Sequence, residues 1–162
     1  MTENEKRMHR ACFTSHRPEK LTRSENAIRK DLEKQIRQAV TDGLNVIISG
    51  MARGVDIWAA QIVLKLRNEG TDVKLICACP YKGFELGWSR EWQQQYKEVL
   101  ESADFIKYVC AGYSRACFQI RNEWMVNHAV RVIAIFNGEK GGTKNTMDYA
   151  AKIGVPVVRI KG

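Results

Sequence analysis

Six short runs rich in Val, Ile, Phe and Cys alternate along this chain with helical patterns, and no other feature restricts its fold as much. The runs are Ala11 to Ser15, Leu44 to Ser49, Val73 to Cys79, Phe105 to Val109, Val130 to Phe136 and Val155 to Ile160. Each is short and apolar at consecutive positions, which reads as a strand buried on both faces. Between the runs, Ile28, Leu32, Ile36 and Val40 recur every four residues, and Val55, Trp58, Ala59, Ile62, Val63 and Leu66 recur at mixed spacings of three and four. Such spacing gives a helix one apolar face. Gly43, Gly70 and Gly154 each follow a helical pattern and stand just before an apolar run, where glycine tolerates the left-handed backbone that ends a helix.

Repeated βαβ units assemble into a mostly parallel sheet with right-handed crossovers. The expected class is therefore α/β: a Rossmann-like, doubly wound, mostly parallel sheet of about six strands with helices on both faces. Residues 11–162 read as one such domain and residues 1–10 as a flexible tail. In an open sheet of this kind, ligands bind beyond the carboxyl ends of the strands. The chemically unusual residues of this chain gather in those loops.

At 44% hydrophobic and 27% charged over 162 residues, the chain has the composition of a globular domain and not of a disordered or collagen-like one. No apolar run approaches the roughly 18–20 residues of a membrane span, and the first residues lack the apolar stretch of a signal peptide. A cytoplasmic location with no membrane partner is expected. The five cysteines are odd in number and form no CxxC, so they read as reduced thiols and not as a disulfide framework. His9, His16 and His128 lack metal-ligand spacing, and neither metal nor cofactor is expected.

Net charge is +8, divided into +4 over residues 1–40, zero over 41–129 and +4 over 130–162. Such an excess favours an anionic partner. Arg131, Lys140 and Lys144 lie beside or near a Gly-Gly-Thr sequence, where local positive potential suits a small phosphorylated ligand; nucleic acid is the less favoured partner.

Two strand-to-helix loops contain glycines. Ser49-Gly50-Met51-Ala52-Arg53-Gly54-Val55-Asp56 is a Gly-x-x-x-Gly loop opening a helix. Its backbone could approach a phosphate, although a plain tight turn uses the same residues. Asp56 suits the helix dipole and equally a hydrogen bond to a sugar hydroxyl. In the second loop, Asn137 to Thr146, Gly141 and Gly142 offer amides, and Thr143 can cap the helix or bond a phosphate oxygen. Neither loop is a Walker A sequence, and no Gly-x-Gly-x-x-Gly follows a strand.

Arg121 sits among Cys117, Phe118, Trp124 and Met125 on a helical face. A guanidinium there must snorkel to water, meet an internal carboxylate or meet an anionic ligand. Thr14, Ser15, His16 and Arg17 supply donors after the first strand, with a simple polar loop as the alternative. Phe84, Trp88 and Trp92 read first as packing and second as a base-stacking wall.

The residues Cys12-Phe13-Thr14-x-His16-Arg17-Pro18-Glu19-Lys20-Leu21, Ser49-Gly50-Met51-Ala52-x-Gly54-Val55-Asp56, Gly112-Tyr113-Ser114, Cys117-Phe118-Gln119, Arg121-Asn122-Glu123-Trp124-Met125 and Gly141-Gly142-Thr143 resemble, in order, the YpsA-like family. That family belongs to the SLOG superfamily, with the DNA-processing protein DprA and the LOG (Lonely Guy) phosphoribohydrolases. The resemblance implies a Rossmann-like fold and a site for a nucleotide or nucleotide derivative. In LOG enzymes an arginine and a Pro-Gly-Gly-x-Gly-Thr-x-x-Glu loop cleave the bond between base and ribose 5′-phosphate. Arg121 resembles that arginine and Gly142-Thr143 its Gly-Thr, but the glutamate position is Thr146. A hydroxyl does not stabilise a cationic sugar as a carboxylate does.

The expected function is binding or sensing of a nucleotide-like anion. Its site would comprise Thr14, Ser15, His16, Arg17, Ser49, Gly50, Met51, Ala52, Gly54, Asp56, Arg121, Asn122, Gly141, Gly142, Thr143 and Thr146. If the chain is a LOG-like enzyme, Arg121, Asp56 and Glu123 are the catalytic candidates. Single-stranded DNA binding of the DprA kind is a third reading, and a homodimer stays open.

Overall fold

All six apolar runs form strands in the computed structural model, which describes residues 1–162. These are β1 (Arg10–Ser15), β2 (Val46–Ser49), β3 (Lys74–Cys79), β4 (Phe105–Tyr108), β5 (Arg131–Phe136) and β6 (Val157–Lys161). They make one sheet in the order β4-β3-β2-β1-β5-β6, and every neighbouring pair is parallel. The helices are α1 (Glu3–Arg7), α2 (Glu25–Thr41), α3 (Val55–Asn68), α4 (Arg90–Ser102), α5 (Cys117–Asn127) and α6 (Gly142–Ile153), with a 3-10 turn at Pro18–Lys20.

Consecutive strand residues feed opposite faces, which is why both parities are apolar. Ala11, Phe13, Ile47, Leu75 and Ile133 join Ile28, Leu32 and Ile36 of α2, Ile57 and Val63 of α3, and Tyr96 and Val99 of α4. On the other face, Cys12, Ile48, Ala78 and Val132 meet Met125 and Val126 of α5 and Ala150 of α6. Four of the five cysteines are buried and all are unpaired; burial pushes the Cys79 thiol up to about 11.

Three helices end in the same way. Gly43, Gly70 and Gly154 have φ of +88°, +98° and +81°, and the amides after them reach back to Ala39, Leu66 and Ala150. This glycine cap takes up Leu44 and Val155, so β2 and β6 begin two residues later than their apolar runs. Residues 1–10, read as a tail, contain a structured turn. Thr2 Oγ1 accepts from the Glu5 amide while Glu5 Oε2 accepts from the Thr2 amide at 2.7 Å, and Arg7 Nε donates to the Ala129 carbonyl at 3.0 Å. No helix is long and apolar enough to cross a membrane.

Chain order along the sheet reverses at β1. Strands β2, β3 and β4 succeed one another on one side of it, and β5 and β6 lie on the other. The loops leaving β1 and β5 therefore flank the crevice where doubly wound sheets bind their ligands.

Candidate functional site

A cavity of about 890 Å³ opens there, lined by segments from five parts of the chain. Phe13, Thr14, Ser15, His16, Arg17 and Lys20 come from β1 and its loop; Ala52, Arg53 and Asp56 from the β2–α3 junction; Phe84, Gly87, Trp88, Ser89 and Trp92 from the β3–α4 segment. Helix α5 adds Phe118, Arg121, Asn122 and Met125, and the β5–α6 loop adds Lys140, Gly141, Gly142 and Thr143. Asp56 is the one carboxylate on this wall, against the cations Arg17, Lys20, Arg53, Arg121 and Lys140. Arg53 is already paired with Glu19.

Arg121 does not snorkel: it is 6% exposed. Its Nη1 donates to the Gly50 carbonyl and its Nε to Asn122 Oδ1 at 2.8 Å. Asp56, equally buried, accepts the Ala52 amide on Oδ2 at 3.2 Å, while its Oδ1 has no partner. Burial pushes the Asp56 carboxyl up and Arg121 opposes that shift; burial pulls Arg121 down and Asp56 is the largest opposing influence. The two are thus mutual counterions across a gap, without an ion pair within 4.0 Å. A Cβ built at Gly50 would fall 3.0 Å from Asp56 Oδ2 and 3.1 Å from Arg121 Cζ. Glycine is needed there for internal packing.

Ser49, Gly50, Met51 and Gly54, expected at the ligand, do not line the cavity. Ser49 Oγ donates to the Asp56 carbonyl at 2.8 Å and accepts the Met51 amide at 3.2 Å. Met51 has φ +61° and a fully buried side chain. At Gly54, φ is +98° and a Cβ would meet Pro18 Cγ at 2.7 Å. These residues hold the loop against α3 and the β1 loop, leaving Ala52 and Asp56 to face the cavity.

Thr146 is also absent from the cavity wall. Its Oγ1 donates to the Gly142 carbonyl at 2.7 Å, so it braces the first turn of α6 from outside the cavity wall. Glu123 also lies off that wall, accepting from Gln119 Nε2 at 2.9 Å. Asp148, nearby on α6, is held by Lys144 Nζ at 2.8 Å.

The β5–α6 loop is open. The first amides of α6, from Gly142 to Lys144, lack an intrahelical acceptor by helix geometry, and Cβ atoms built at Gly141 and Gly142 would meet nothing within 4 Å. Thr143 is 2% exposed and its Oγ1 has no partner. The loop is fastened at its start by Asn137, which the sequence reading did not single out. Its amide donates to His16 Nε2 at 3.1 Å, its Nδ2 donates to the Lys20 carbonyl at 3.0 Å, and its Oδ1 accepts the Glu139 amide at 2.8 Å. His16 must therefore be neutral, with its proton on Nδ1; it stacks on Phe136 with centroids 5.7 Å apart, and burial pulls its pKa down.

Trp88 and Trp92 belong to the core and to the cavity wall at once. Each packs against the larger core and each lines the cavity, with the Phe84 and Trp88 rings edge to face at 4.9 Å. Phe118 adds an aromatic from α5 that composition alone did not indicate.

Comparison with known proteins gives relatives in sequence and in fold. The SPbeta prophage-derived protein YoqJ of Bacillus subtilis (strain 168) is 35% identical over 117 residues, 65% of this chain and 68% of that protein. A UPF0398 protein of Bacillus thuringiensis (strain Al Hakam) is 31% identical over 128 residues, 77% and 69% of the two chains. Among solved structures, DNA processing protein A (DprA) from Streptococcus pneumoniae matches with TM-score 0.68 at 21% identity, over 96% of this chain and 51% of that one. DNA processing protein A from Helicobacter pylori matches with TM-score 0.69 at 18% identity, over 99% and 68%. At such identity the likeness is one of fold, and this chain spans about half of the Streptococcus chain. Residues 12–154 match the family model for the YspA SLOG family. That stretch runs from β1 through α6 and takes in both glycine loops, and the chain belongs to the YspA SLOG family.

Proposed function

We propose that this protein binds a nucleotide or nucleotide-derived ligand in the cavity, with a phosphate seated at the N-terminus of α6. One observation carries the reading. Of the three buried side-chain atoms without a hydrogen-bond partner, two, Thr143 Oγ1 and Asp56 Oδ1, belong to residues on this cavity wall. An unmet buried polar group costs about 1–3 kcal/mol, and a ligand offering a phosphate oxygen to Thr143 and a donor to Asp56 removes both costs. Free amides and the dipole at the start of α6 favour an anion there, and Arg17, Lys20 and Lys140 supply the surrounding charge. Trp88 and its aromatic neighbours offer a base an apolar surface. The volume of about 890 Å³ falls within the usual range for small-molecule sites.

Binding or sensing without turnover fits a cavity whose one carboxylate is Asp56, with Thr146, off the wall, at the position of the LOG glutamate. Titration of the purified protein with mononucleotides, cyclic nucleotides and ADP-ribose derivatives tests the reading. At least one should bind below millimolar concentration, and binding by none would refute it. Chromatography of overnight reactions checks the hydrolase alternative, which requires release of free base and ribose 5-phosphate.

A second reading is favoured by the fold likeness to the Helicobacter pylori protein, whose structure is described for its single-stranded DNA binding mode. Phosphate contacts to DNA make affinity fall steeply with salt. A gel shift with a single-stranded oligonucleotide at two salt concentrations separates that reading from a small-ligand site.

A further inference from the structure

We infer that the ligand carries a ribose and not a 2′-deoxyribose, and that Asp56 and Arg121 read its vicinal diol as a pair. The inference rests on the nucleotide reading above and adds the sugar to it.

Sheet order fixes the sequence of subsites. The segment after β3 brings Trp88, the junction after β2 brings Asp56, and the loops after β1 and β5 bring the phosphate site. Asp56 therefore lies between the aromatic wall and the Gly141–Thr143 loop, as the sugar of a 5′-nucleotide lies between base and phosphate.

The chemistry at this middle position is specific. An ionised carboxylate only accepts hydrogen bonds, and Asp56 Oδ1 has no donor. A phosphate oxygen cannot supply one and a base supplies one only from its edge; a sugar hydroxyl, which this middle position would receive, can. Arg121 commits Nη1 to Gly50 and Nε to Asn122, which leaves further guanidinium N–H groups for a ligand. A Cβ at Gly50 would crowd both Asp56 Oδ2 and the Arg121 guanidinium, yet the two side chains do not close into an ion pair. The wall thus holds a charged acceptor beside a charged donor, both buried. A vicinal diol matches this arrangement: one hydroxyl donates to Asp56 Oδ1 and the other accepts from Arg121. A 2′-deoxy sugar offers one hydroxyl and leaves one buried charge unmet.

Calorimetric titration of AMP, GMP, CMP and UMP, each against its 2′-deoxy counterpart, tests this on the intact chain. For any base that binds, the ribonucleotide should bind about 10- to 100-fold tighter, the range of a hydrogen bond to a charged group. Asp56→Ala should erase that preference by weakening the ribonucleotide and leaving the deoxynucleotide nearly unchanged. Asp56→Asn, which keeps the side-chain shape, should narrow the preference if the alanine variant folds poorly. Equal affinity of both sugars for the unmodified protein overturns this inference and leaves the nucleotide reading standing. No binding of either sugar with any base, together with none by the cyclic nucleotides and ADP-ribose derivatives above, overturns both.

Discussion

The two glycine loops look alike in sequence and lie at the same edge of the sheet, but their glycines answer to different constraints. In the β2–α3 loop, a Cβ at Gly50 would crowd Asp56 and Arg121, and one at Gly54 would strike Pro18. In the β5–α6 loop, Cβ atoms at Gly141 and Gly142 would stand in open space. The first loop is closed on itself by Ser49 and places two buried charges; the second presents bare amides and an unmet hydroxyl. Glycine at a strand-to-helix junction thus signals close approach, and only the surrounding structure tells whether protein or ligand is what approaches.

Substitutions that strike the closed loop should cost stability, and those in the open loop should cost only binding. Arg121→Ala strands Asp56 without its counterion, and removing one partner from a buried charge pair typically costs about 3–5 kcal/mol; urea denaturation measures this. Gly54→Ala combines a left-handed backbone with a clash against Pro18 and should lose about 2–4 kcal/mol by the same measurement. Gly142→Ala, by contrast, should change stability by no more than about 0.5 kcal/mol while weakening nucleotide binding at least tenfold. Equal loss of stability for the alanine variants at Gly54 and Gly142 would dissolve the distinction.

The smallest effect concerns the fastening of the open loop. His16 accepts the Asn137 amide as a neutral ring, and its pKa lies below the ordinary 6.5. As pH falls below that value the unfolded chain takes up a proton that the folded one refuses, so stability declines; above it His16 contributes no slope. Thermal melts from neutral pH to about pH 5 should show this decline. His16→Gln, whose amide oxygen can accept from Asn137 without titrating, should flatten it, and an unchanged slope would remove His16 as the cause.

Much of this was readable from residues alone. Apolar residues at both parities announce strands covered on two faces, and Gly43, Gly70 and Gly154 mark the helix ends. An arginine amid Cys117, Phe118 and Met125 marks a buried charge. What escaped depends on partners distant in sequence. Gly54 is explained by Pro18, and Asn137 by His16, which lies 121 residues away. Thr146 looked like part of the phosphate loop because it shares a helix turn with Gly142, but its hydroxyl is spent on the Gly142 carbonyl. The α1 turn was missed, read as part of a flexible tail, although Thr2 and Glu5 carry the residues of a capping box.

The central claim is that Thr143 holds its buried hydroxyl unmet because a ligand phosphate completes it. Titration of the tightest-binding nucleotide against the unmodified protein and Thr143→Val, an isosteric change, tests it directly. The account predicts at least tenfold weaker binding by the variant, with stability unchanged or raised by up to about 1 kcal/mol as an unpaired buried hydroxyl is removed. Undiminished affinity in a well-folded Thr143→Val protein would contradict it.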